Sequence, residues 1–157
     1  MPRIVRLRDK TLGQQVLRSA ALPPATGVST DLFSVDGGQV LLTGIWGYVT
    51  VAVPAVTLSF QLDHDPDDGG SDVVLASALS ASAAPAGTWY RLNTTAAGAL
   101  VGSVNVSYGT KLAVPIALDA GDIKLTSSGG GAIGTSARVK WGLTYIPIDD
   151  AGRIVAV

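Results

Sequence analysis

Between residues 56 and 62 the chain reads Val-Thr-Leu-Ser-Phe-Gln-Leu, with Val56, Leu58, Phe60 and Leu62 at every second position and Thr57, Ser59 and Gln61 between them. Side chains of an extended strand alternate between two faces, so this spacing predicts a strand that is apolar on one side and polar on the other. Leu32-Phe33-Ser34-Val35 predicts a short strand, Asp36-Gly37-Gly38 a turn, and Gln39 to Val51 a longer strand, the two strands being expected to pair as a hairpin. In the longer strand Val40, Leu42, Ile45 and Val49 do not keep one parity, which predicts a bulge or bend near Gly44 or Gly47. Further strands are expected at 73–76, 88–92, 99–106, 111–118, 122–127 and 137–146, punctuated by Gly109, Pro115, Gly121 and the Gly129-Gly130-Gly131 run. The Ala-rich piece from Ala76 to Ala84 is compatible with a helical turn or two.

Many short strands at this spacing point to an all-β fold, an antiparallel β-sandwich or jelly roll, with no internal repeat of the solenoid or propeller kind. Residues 1–30 read as an extended N-terminal arm and residues 31–157 as the β-sandwich domain. Within the arm, Ile4, Val5 and Leu7 mingle with Arg3, Arg6 and Arg8, and Leu22-Pro23-Pro24-Ala25-Thr26-Gly27 interrupts regular structure because proline lacks a backbone donor and restricts the residue before it. Such an arm gains little by folding on itself and is expected to order against a partner.

Composition sharpens this picture. The 12 acidic residues are all aspartate, glutamate is absent and glycine occurs 19 times, a makeup that disfavours exposed helices. There is no cysteine, so disulfides, thiolate metal sites and cysteine nucleophiles are excluded. No apolar run approaches the ~20 residues of a membrane helix, and the first residues lack the apolar core of a secretion signal, so a soluble protein that starts in a cytoplasm is expected, without a membrane partner. The formal net charge is only -1, but Arg3, Arg6, Arg8, Lys10 and Arg18 face Asp9 alone in the first 18 residues. Basic arm and acidic body are thus electrically distinct. With a near-neutral chain and no aromatic residues interleaved in the arm, nucleic acid is the less favoured partner, and an acidic protein surface fits these five basic residues better.

Candidate chemistry concentrates in Asp63-His64-Asp65-Pro66-Asp67-Asp68-Gly69-Gly70-Ser71-Asp72. Oxygen-rich loops of this type hold calcium, which makes Asp63, Asp65, Asp67 and Asp72 the candidate ligands. The segment is not an EF-hand, because Asp68 stands where the turn glycine belongs and Val74 where the closing glutamate belongs. A solvated acidic turn between strands is the preferred reading, with no metal and no cofactor expected. His64, the one histidine, is expected in that charged turn, with little burial to tune it and no neighbouring nucleophile. The pairs Asp119/Asp122 and Asp149/Asp150 read as strand-end turns rather than as a glycosidase pair. The glycine run 129–135 lacks the Lys-Ser/Thr ending of a phosphate loop. Trp46, Tyr48, Trp89, Tyr90, Tyr108, Trp141 and Tyr145 would make a sugar platform if exposed together, but on strands they are expected chiefly as core and interface anchors.

The run from Leu32 to Thr50, with its short strand, Gly-Gly turn and glycine-spaced strand, resembles small structural proteins of tailed bacteriophages. Leu62 through Tyr90, with Gly87-Thr88-Trp89-Tyr90, and Ala120-Gly121-Asp122-Ile123-Lys124-Leu125-Thr126 followed by Val139-Lys140-Trp141-Gly142-Leu143-Thr144-Tyr145-Ile146-Pro147, are similar to the same group. The likeness is one of sequence style and carries over no functional residue. It implies a non-enzymatic capsid decoration, or cement, protein on the capsid surface of a virion. Its partners would be the major capsid protein and copies of itself, often as a homotrimer, with the arm lying across neighbouring subunits. Two other readings remain open: a tail, baseplate or carbohydrate-binding receptor protein that uses the aromatic residues, and a hydrolase of cell-wall sugars, for which only aspartate is available as the acid.

Overall fold

The computed structural model describes residues 13–25, 27–92, 98–104, 112, 114–130 and 135–157. They form eleven strands and no helix: β1 (Gln14–Leu17), β2 (Ser29–Asp36), β3 (Val40–Val51), β4 (Leu58–Pro66), β5 (Val73–Ser80), β6 (Thr88–Leu92), β7 (Gly98–Val104), β8 (Ile116–Leu118), β9 (Gly121–Gly129), β10 (Arg138–Pro147) and β11 (Arg153–Ala156). One sheet runs β1-β10-β3-β6-β7, with β8 beside the first part of β3; the other runs β5-β4-β9-β2-β11. All neighbours within each sheet are antiparallel, and a short parallel pairing of β5 with β7 joins the two sheets at one side. The sheets pack face to face as a β-sandwich around Phe33, Phe60, Tyr90, Trp141 and Tyr145. Phe60 and Tyr90 meet edge to face at 5.6 Å across this core.

Strand parity explains which residues turn inward. On β4 the alternation that begins at Leu58 continues through Phe60 and Leu62 to His64, and on β10 Val139, Trp141, Leu143 and Tyr145 share the buried face. The expected irregularity in β3 is a register shift: Thr144 pairs with Gly44 but Tyr145 pairs with Leu42. This bulge resets the parity, so that Val40 and Leu42 before it and Ile45 and Val49 after it all reach the core.

Three expectations are corrected. The first is the hairpin of β2 with β3: the two strands lie in different sheets, β2 between β9 and β11, β3 between β10 and β6. The Gly37-Gly38 turn is a corner between sheets, packed against the matching corner from β10 to β11. A side chain on Gly37 would meet the Ala151 carbonyl oxygen, and both glycines have positive φ. Asp149 fastens the two corners by accepting the Gln39 amide at 2.7 Å. Second, the Ala-rich segment is not helical: residues 76–80 complete β5, whose pairing with β4 overrides their modest helix propensity. Third, the acidic turn is shorter than 63–71, because Asp63, His64, Asp65 and Pro66 still belong to β4 and pair with β9.

Part of the segment read as an arm is built into the sandwich. Residues 14–17 form β1 on the edge of β10, Ala21 bridges to Val139, and Pro23 and Pro24 are buried. The two ends of the strand order meet at a seam between β1 and β11, where Arg18 donates from Nε to the Val157 carbonyl at 2.8 Å. Arg3, Arg6, Arg8 and Lys10 lie outside the described residues.

Candidate binding surface

The most concentrated feature of the outer surface grows from two Trp-Gly dipeptides on neighbouring strands. In the register of β3 with β10, Trp46 stands opposite Gly142 and Gly47 opposite Trp141. Adjacent residues point to opposite faces, so Trp141 with Gly47 faces the core while Trp46 with Gly142 faces outward. Each glycine makes room for the opposing ring. A Cβ on Gly47 would sit 2.8 Å from the Trp141 ring, and one on Gly142 would collide with Trp46 and lie 2.9 Å from Leu17 Cδ2. Trp46 is thereby laid flat over the outer face, only 9% exposed although it lies outside the core.

Two rows of outward side chains cross this sheet. One runs Lys140, Tyr48, Trp89; the other runs Leu17, Gly142, Trp46, Arg91. Trp89 joins the rows, with ring centroids 5.2 Å from Trp46 and 4.8 Å from Tyr48. The planes are tilted by 52° and 49°, so the rings form a faceted ridge, not a flat shelf. Tyr48, Trp89, Arg91 and Lys140 are half-buried and Leu17 is exposed. The charges in these rows are both positive.

The outer face of the other sheet has the opposite character. Asp63, Asp65, Asp122 and Asp31 stand around Lys124 in the register of β4, β9 and β2. Asp63 is nearly buried and accepts hydrogen bonds from Gln61 Nε2 at 2.7 Å and Thr126 Oγ1 at 3.0 Å. Asp65 pairs with Lys124; the hydrogen bond and the ammonium charge hold its carboxyl below the ordinary value and raise Lys124 above its own. Asp122 lies directly opposite Asp65, a like-charge pairing, and makes no hydrogen bond or ion pair among the described residues.

Of the calcium candidates, Asp72 comes close to Asp65 and Lys124 while Asp67 lies apart in the turn. Asp63 and Asp65 lie on this outer face, Asp67 is in the turn after β4 and Asp72 is exposed before β5. Among the described residues, no group of three or more histidine or acidic side chains is placed to hold a metal ion. At the end of the sandwich, Asp67, Asp68, Asp119 and Asp149 line an open groove of about 560 Å³ with Gly38, Gln39 and Ala120. Three of these carboxylates are engaged: Asp119 accepts from Gln39 Nε2 at 2.6 Å, Asp149 from the Gln39 amide, and Asp68 from the Gly70 amide at 2.8 Å. His64 is not in a solvated turn: it faces the core side of β4, 4% exposed, with Nε2 3.2 Å from the Asp119 carbonyl oxygen. Its even-numbered place after Leu58, Phe60 and Leu62 is the signal that marked it as inward.

The seven candidate aromatic residues separate into two sets. Tyr90, Trp141 and Tyr145 are core, Trp46, Tyr48 and Trp89 form the outer ridge, and Tyr108 lies outside the described residues. Arg18, expected on the free arm, is bonded at the seam to the end of β11's strand path. Comparison with known proteins finds no matching family model, no matching curated protein and no matching solved structure.

Proposed function

We propose that this chain is a non-enzymatic binding module of a tailed-phage virion, a decoration protein that attaches to the assembled head and stabilises it. The observation that carries the reading is the outward ridge of Trp46, Tyr48 and Trp89 on a sandwich that already has its own aromatic core. Large rings placed outside the core, with basic side chains beside them, are the usual anchors of protein docking sites. The basic N-terminal segment, with Arg3, Arg6, Arg8 and Lys10, supplies a second contact of opposite charge to the acidic body, and two contacts on one chain raise avidity. Binding to the assembled shell but not to free subunits stabilises the shell by mass action, with no chemical step.

A carbohydrate-binding tail protein would use the same ridge. The tilt between its rings favours the protein-docking reading, because sugars stack best on a flat exposed ring face. The test is co-sedimentation of the purified chain with phage heads that lack it, alongside the heat tolerance of those heads. Saturable binding with a raised disruption temperature is expected. No binding to heads, with retention on a glycan column instead, would replace this reading by the second.

A further inference from the structure

The two outer faces of the sandwich are complementary to each other. On one, Lys140 extends the aromatic ridge and has no ion-pair partner among the described residues, with Arg91 in the adjacent row. On the other, Asp122 is unpaired beside Asp65, four carboxylates surround the single ammonium of Lys124, and the exposed side chain of Val155 continues the Asp122 row through Ser34. The charge of Asp65 is held by Lys124, whereas Asp122 has no partner among the described residues, so a cation brought to this face would meet an unpaired carboxylate there.

We propose that, in protein not seated on a head, the aromatic and basic face of one copy docks on the acidic face of a second copy, the two occupants of the ridge excluding each other. Lys140 of one chain would approach Asp122 of the next, and the ridge of Tyr48 and Trp89 would cover the apolar surface offered by Val155. An isologous pairing of two aromatic faces would gather Lys140 and Arg91 of both copies into one interface with no carboxylate in either row to offset them, and like charges at an interface are repulsive. The contact is therefore heterologous. Because the two faces lie on opposite sides of the sandwich, it leaves one unused face of each kind at the ends of every assembly, and growth is open-ended. This inference rests on reading the chain as a binding module but not on its virion address.

The experiment is sedimentation of the full chain over a concentration series at low and high salt. Mass rising continuously with concentration, and falling as salt is added, is expected. Lys140→Glu and Asp122→Lys should each reduce association at least tenfold with unchanged circular dichroism. The double variant should recover most of it, because the reversed charges again face each other. A closed dimer, a chain monomeric up to its solubility limit, or a double variant no better than the single ones would overturn the proposal. These outcomes do not depend on binding to heads, so failure here and failure of the decoration reading are separately visible.

Discussion

At the scale of single residues, the paired Trp-Gly dipeptides connect the core to the surface. Gly47 is needed because the Trp141 ring occupies the space where its side chain would be. Gly47→Ala should overpack the core and cost about 1–3 kcal/mol in urea unfolding; a change below a few tenths would contradict the account. Tyr90 makes a different prediction. It is 2% exposed, its hydroxyl has no hydrogen-bond partner among the described residues, and burial pushes its pKa up to about 12. The fold favours the neutral phenol, so its contribution to stability is complete below the ordinary value of 10.0 and is lost as pH rises from there through about 12. Tyr90→Phe should leave stability near neutral pH unchanged or slightly higher, since an unsatisfied buried hydroxyl is removed. It should also weaken the alkaline loss of stability, measured by unfolding at a series of pH values. A large loss at neutral pH would mean that the hydroxyl is satisfied in solution.

At the scale of elements, the seam between β1 and β11 controls whether the strand order closes. Arg18→Ala should cost about 1 kcal/mol, the usual net value of one hydrogen bond, and hydrogen exchange should quicken first in β1, whose loss bares the edge of β10. Uniform quickening across both sheets would count against a locally held β1. Strands such as β4 and β6 were legible in the sequence because alternation and turn residues are local signals, and so was the bulge in β3. Pairing was not legible. Whether β2 joins β3 or β9 depends on contacts nearly a hundred residues apart, and the Gly37-Gly38 turn looks alike in a hairpin and in a corner. Strands β1 and β11, four residues each, are too short for periodicity to mark them. In the surface, the aromatic residues were visible as candidates but their division into core and ridge was not, because it follows from the parity reset at the bulge and from register. The two Trp-Gly dipeptides were the available signal. The dense carboxylates from Asp63 onward mask the position of His64, because they signal a turn where the parity of β4 in fact continues to Pro66.

At the scale of the whole molecule, the sandwich is electrically and chemically two-sided: aromatic and basic outside one sheet, acidic outside the other. The main core cluster is built from other residues, and both properties suit a protein that works by contact. The decoration reading makes this asymmetry useful on a shell, where one chain meets both the lattice beneath it and its neighbours. The most direct measurement is the copy number of this chain relative to the major shell protein in purified virions separated into heads and tails. The account predicts hundreds of copies on heads, on the order of the shell subunits themselves, as the repeated contacts of a symmetric lattice require. A few copies confined to tails, or absence from both fractions, would contradict it.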